Sequence, residues 1–184
     1  MDILLTGQET DTELVVGKSV EVVASRKELK QAATVIALAS VNDRELLEGP
    51  IDGVLFSDTG GKDHLHYRRG VLDEVSAKIL AAEKKALVIP ILSLLQEKKL
   101  SRALGRAHQD AHLAATHGAP VVFVSMAEDY VPTSHDLEAT CRALGFNEKT
   151  VAKNQAELTA WIARARNRAS ENYLGEGISK AKGI

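Results

Sequence analysis

Two histidines one residue apart, in Asp63-His64-Leu65-His66, form the arrangement with the plainest chemical use in this 184-residue chain. On an extended segment such a pair can hold one metal ion through two ring nitrogens, and a bound metal ion can activate water for phosphoester hydrolysis. The pair sits mid-chain inside a polar loop, where a solvated or RNA-facing role is the ordinary reading. His108-Gln109-Asp110-Ala111-His112 has the helical i, i+4 spacing of a zincin motif, but Gln109 stands where a general base is needed and no clear third ligand follows. Cys141 falls in an amphipathic helical pattern, the usual setting of a buried structural thiol. No Gly-x-Ser-x-Gly elbow, Walker loop or Gly-x-Gly-x-x-Gly turn occurs. No catalytic residue is assigned, and neither a metal nor a cofactor is expected on this chain.

Cations remain as the candidate functional groups. Gly60-Gly61-Lys62 can cradle a phosphate through backbone N–H groups, although two glycines and a lysine in a loop are common. Lys62, Arg68 and Arg69 follow an apolar run, while Arg102 and Arg106 lie four apart and so share a helix face. If the loop packs over the start of that helix, these five cations, with His64, His66 and His108 nearby, can neutralise several RNA phosphates. Tyr67 is the one aromatic residue inside the basic loop, which favours contact with backbone and shape over base readout. A solvated helix face is the plain alternative for the two arginines.

The elements that must position these groups alternate. Apolar, β-branched runs at 20–24, 34–39, 53–56, 86–91 and 120–124 read as buried strands. Helical patterns lie at 25–33, 42–47, 71–85 and 93–97, and in the long stretch from Arg102 that Gly118 ends. A helix capped by Thr133 or Ser134 runs to Leu144 and is closed by Gly145, and a last helix spans 154–172. Val71, Val75, Ile79 and Leu80 are expected on the inner face of the 71–85 helix, and Leu158, Trp161, Ile162 and Ala165 on that of the last. Strand, helix, strand in repetition means parallel strands with external helices, at whose strand ends function collects. Ser125 is such a polar strand end. Residues 3–5 and 14–16 can add two short strands.

The bulk numbers fit this. At 45% hydrophobic but only 4% aromatic residues, the core must be built from Ala, Val, Leu and Ile, as in parallel sheets covered by helices. The length suits a single domain over 1–174, with a flexible tail at 175–184. The formal charge of −2 argues against nucleic-acid binding by bulk charge alone, but not against a local basic patch. One cysteine, no long apolar run and no basic, apolar leader together lead to an expected cytoplasmic location, with no membrane contact.

Taken in order, the blocks VEVVASRKELKQA, NDRELLEGPIDGVLF, RRGVLDEVSAKILAAEKKALVIPILSLL, RALGRAHQDAHLAATHGAPVVFVSMAED and HDLEATCRALGF resemble one family. It is the thirty-kilodalton protein subunit of archaeal and eukaryotic ribonuclease P, ribonuclease P protein component 3. Gly70, Leu72 and Asp73 match its Gly-Leu-Asp helix start, Arg102 and Arg106 its basic helix positions, and Ser125 with Ala127 its Ser-x-Ala strand end. Asp136 and Leu137 match its next helix start, while Glu74 stands where the family usually has His, and His135 where it typically has Arg. The resemblance implies an α/β, TIM-barrel-like fold with a shortened N-terminus. With the basic residues of the loop added to the matched positions, the expected RNA-binding residues are Lys62, Arg68, Arg69, Arg102, Arg106, Ser125 and His135. The resemblance also implies an endonuclease holoenzyme in which the RNA, with its Mg2+ ions, removes the 5′ leader of precursor tRNA, and this protein is non-catalytic. The implied partners are ribonuclease P RNA, precursor tRNA, a small ferredoxin-like protein subunit in a heterotetramer, and other ribonuclease P proteins. The His64 and His66 pair resembles instead the metal motif of the polymerase and histidinol phosphatase hydrolases, which makes a metal-dependent phosphoesterase the alternative.

Overall fold

A computed structural model of the chain describes residues 3–4, 14–15, 20–23, 36–39, 44–57, 62–63, 70–124, 133–146, 156, 160–161, 163–164, 173–175 and 178–179. A short antiparallel pair comes first, β1 (Ile3–Leu4) with β2 (Leu14–Val15). The five apolar runs then form β3 (Val20–Val23), β4 (Ile36–Ala39), β5 (Gly53–Leu55), β6 (Ala86–Pro90) and β7 (Val121–Val124), paired in chain order into one parallel sheet. Every residue of β6 and of β7 is buried, so both faces of these strands are covered. That is why their sequences are continuous apolar runs rather than alternating ones. Sequential order with parallel pairing is what successive right-handed crossovers build. The described strands form an open sheet with β3 and β7 at its edges, so the expected α/β class and parallel strands are present, while barrel closure is not part of the described structure.

The helices are α1 (Arg44–Leu47), α2 (Glu74–Ala82), α3 (Ile91–Leu95), α4 (Leu100–His117) and α5 (Ser134–Ala143). α2 is shorter than the 71–85 pattern because Asp73 caps it, its carboxylate accepting from the Ser76 N–H at 2.8 Å. Val71 and Leu72 are buried ahead of the helix, and the inward stripe becomes Ser76, Ala77 and Leu80. Val75, expected inside, is 55% exposed as a result. α3 begins at Ile91, directly after Pro90 and two residues before the pattern suggested, since a residue without an N–H loses nothing at a helix start. α4 presents Ala103, Ala107, Ala111 and Ala114 to the core, all fully buried. It ends as expected at Gly118, whose φ of 82° suits a residue with no Cβ.

The helix expected at 25–33 lies outside the described residues. Of the 154–172 helix, the described residues are helical, and Trp161 is buried with its indole N–H donating to the Asp52 carbonyl at 2.8 Å. Leu158, Ile162 and Ala165 lie outside the described residues. β8 (Tyr173–Gly175), which reaches the first residue of the stretch expected as a flexible tail at 175–184, pairs antiparallel with β9 (Ile178–Ser179) inside it.

At the N-terminal end of the sheet, Lys85 is only 3% exposed. Its ammonium donates to the carbonyls of Leu47 and Gly49, at 2.5 and 2.8 Å, and pairs with Glu83 at 2.6 Å. It thereby supplies a donor to the Leu47 carbonyl at the end of a short helix, and a second donor to the Gly49 carbonyl, which also accepts from the Ile51 N–H at 2.8 Å. Lys85→Met is expected to strip that donor from both carbonyls and to lower unfolding stability by about 2 to 3 kcal/mol, measured by urea denaturation.

Candidate nucleic-acid interface

The basic segment leaves the sheet at the C-terminal end of β5, where the Phe56 N–H still bonds to the Val88 carbonyl at 2.8 Å. Its described parts are tied to one face of α4. Arg106 is 1% exposed, and its Nε and Nη2 both donate to Asp63 Oδ1, at 2.8 and 2.7 Å. One turn further along, about 6 Å of helix rise, the fully buried Asp110 accepts from the Val71 N–H at 2.6 Å and from the Leu72 N–H at 3.4 Å. A Cβ on Gly70 would collide with that carboxylate, so only glycine lets the chain pass. Arg106 and Asp110 thus hold two points of the segment, Asp63 and residues 70–72, at adjacent turns of a single helix.

The two buried charges are not equivalent. Burial pushes the Asp110 carboxyl up to about 6 from 3.8, against the opposing pull of the Val71 and Leu72 N–H groups and the Arg106 charge. Cys141 is buried, and burial, with the Glu138 charge adding, raises its thiol to about 11, as befits an inert structural cysteine.

Of the cations expected to meet RNA, Lys62 is exposed and Arg102 half-buried near the start of α4. Arg106 requires correction. The i, i+4 spacing of Arg102 and Arg106 predicts a shared, outward face, but Arg106 falls on the stripe of Ala103 and Ala107, and its guanidinium is engaged by Asp63. His108, expected beside these cations, instead lines the opposite side of α4, in a groove of about 900 Å³ with Ser101, Leu104, Gly105 and His112. The His108 and His112 rings stack there with centroids 6.1 Å apart. His135 is exposed in the first turn of α5, after a capping box between Thr133 and Asp136. Gly60, Gly61, His64, His66, Tyr67, Arg68, Arg69 and Ser125 lie outside the described residues. Among the described residues no three His, Cys, Asp or Glu side chains gather as a metal site.

Asp63 and Asp110 are residues of this candidate site that a search of the sequence for cations does not find. A signal for both is present all the same. The alanines at 103, 107, 111 and 114 fix the inward phase of α4, and that phase carries Arg106 and Asp110 inward with them. Charged residues on a buried stripe need partners, and Asp63 is one of two acids, with Asp58, in the loop that carries Lys62, Arg68 and Arg69.

Fold and site together define a parallel α/β protein whose basic segment, at the C-terminal end of the sheet, is anchored to a helix by buried charge. A chain with the same fold occurs in a cryo-EM structure of archaeal ribonuclease P with mature tRNA: the TM-score is 0.69 at 20% identity, covering 89% of this chain and 74% of that one. No protein-family model matches the sequence, and no curated protein does.

Asp110 makes stability depend on pH. Its folded pKa lies above the unfolded value, so the contribution is complete below about pH 4 and is lost as pH rises through about 6. The loss is expected to reach at most about 3 kcal/mol. Denaturant titrations from pH 3.5 to 7.5 should show this fall in the wild type, with a flatter profile in Asp110→Asn.

Proposed function

We propose that this chain is a protein subunit of ribonuclease P, of the component 3 type, that assists the catalytic RNA in removing the 5′ leader of precursor tRNA. The observation that carries the reading is the likeness of fold across 89% of the chain to a chain of archaeal ribonuclease P. The ordered sequence blocks support the same family independently of the fold. On this reading the sheet order β3 to β7 is a segment of a TIM-barrel-like wall. The RNA holds the Mg2+ ions and performs the hydrolysis, and this protein contributes binding. Its partners are the ribonuclease P RNA, the precursor tRNA, a small ferredoxin-like subunit in a heterotetramer and further ribonuclease P proteins, in the cytoplasm.

The physical contribution is charge brought to phosphate. Lys62 and Arg102, with Arg68, Arg69, Ser125 and His135, form the proposed RNA contact set, and Arg106 acts behind it. Each cation seated on a phosphate releases condensed counterions, so binding weakens as salt rises. A chain of net charge −2 has no long-range attraction to add, so local geometry has to supply the affinity.

Reconstitution with ribonuclease P RNA, precursor tRNA and the small partner subunit is expected to raise cleavage above that of RNA alone. Lys62→Ala with Arg102→Ala should then weaken RNA binding and reduce the slope of log K against log salt by about 0.7 to 0.9 for each phosphate no longer neutralised, with the melting temperature little changed. No gain in cleavage on adding the chain would sink the proposal. Stoichiometric metal and phosphoester hydrolysis by the chain alone would favour the His64 and His66 phosphoesterase instead.

A further inference from the structure

A carboxylate beside a phosphate-binding lysine is unfavourable on simple charge grounds, because it repels the same backbone that the lysine attracts. Asp63 stands in that position next to Lys62. Its carboxylate, however, is occupied. Oδ1 receives two donors from Arg106, at 2.8 and 2.7 Å, and the guanidinium that supplies them is 1% exposed. Arg106 is itself fixed between Ala103 and Ala107 on the buried stripe of α4. Helical side chains lean toward the helix N-terminus, which directs a side chain at 106, and the acid paired with it, toward the turn that carries Arg102. One turn the other way, Asp110 holds the N–H groups of Val71 and Leu72, which fixes the start of α2 against the same helix.

We propose that Asp63 is a positioning residue for RNA binding: its ion pair with the buried Arg106 fixes Lys62 beside Arg102, so that two cations from different elements meet one phosphate backbone together. The identity of the RNA rests on the ribonuclease P reading given above. An exposed lysine on an untethered segment must be ordered when it binds, and that ordering opposes association. The pair with Arg106 orders the backbone next to Lys62 beforehand. It also neutralises the Asp63 charge at short range, which removes most of the repulsion the acid would otherwise exert.

The consequence runs against charge counting. Deleting an acid from an RNA-facing surface should tighten binding, whereas deleting Asp63 is expected to loosen it. The test titrates the full chain with a ribonuclease P RNA transcript at several KCl concentrations, below the melting temperature of each variant. Asp63→Ala is compared with Asp63→Ala combined with Arg106→Met, which leaves no buried charge without a partner. Both are expected to bind about five-fold more weakly or worse, with a salt slope lower by about 0.9, the equivalent of one phosphate. Asp63→Glu, which keeps a carboxylate within reach of Arg106, should bind as the wild type does.

Equal or tighter binding by both alanine variants overturns the proposal even where their melting temperatures fall, since a purely stabilising pair leaves the salt slope unmoved. Weakening by Lys62→Ala and Arg102→Ala without weakening by the Asp63 variants also removes the positioning role while leaving the ribonuclease P reading in place. Absence of binding by the wild type defeats both.

Discussion

Two ionised groups inside an alanine-lined helix face set the terms for the site. Arg106 and Asp110 lie one turn apart on the stripe through which α4 packs, where an uncompensated charge would cost several kcal/mol. Each therefore requires a partner from another element: Arg106 takes Asp63, and Asp110 takes the N–H groups of Val71 and Leu72. These demands lock Asp63 and residues 70–72 to α4, and Gly70 leaves the space that the lock needs. An apolar contact could hold the same pieces together with comparable stability. It would not select which residue of the segment lies opposite which turn, because apolar contacts tolerate sliding and paired donors and acceptors do not.

The small side chains of α4 belong to the same constraint. Ala103, Ala107, Ala111 and Ala114 allow the helix to approach its neighbours closely, and close approach is what buries Arg106. A larger residue on that stripe would lift the helix and let water reach the guanidinium, weakening the pair by raising the local dielectric. The core beneath it, with Leu87, Ile89, Phe123 and Leu80 fully or almost fully buried, supplies the rigid floor against which the charges are held.

The sheet is legible in the sequence because burial on both faces writes an unmistakable pattern. The runs at 86–91 and 120–124 are apolar throughout, and their strands differ from the expectation only at the ends, as where a helix starts directly after Pro90. Caps are legible wherever one residue acts within its own turn, as at Thr133 through its side chain and at Gly118 through its backbone. Val75 misleads because periodicity says which residues share a stripe but not where the helix begins, and Asp73 shifts the start. In the site, Arg106 is misplaced when the i, i+4 relation of two arginines is weighed above the four alanines that set the phase of the helix. The partners of Arg106 and Asp110 are 43 and 39 residues away in sequence, a distance over which spacing carries no signal.

On the ribonuclease P reading proposed above, this arrangement bears on how a chain of slightly negative net charge would present a nucleic-acid surface. Long-range attraction depends on summed charge, and here that sum is −2. Contact at a phosphate depends on which charges lie within a Debye length, about 8 Å at physiological salt, and on how rigidly they are held. An acid engaged with a buried cation subtracts little from that local sum, since the pair is nearly neutral, yet it fixes the backbone of the exposed lysine beside it. In a surface of this kind affinity is governed by the order of a few groups rather than by their number, and composition alone is then a weak guide to it.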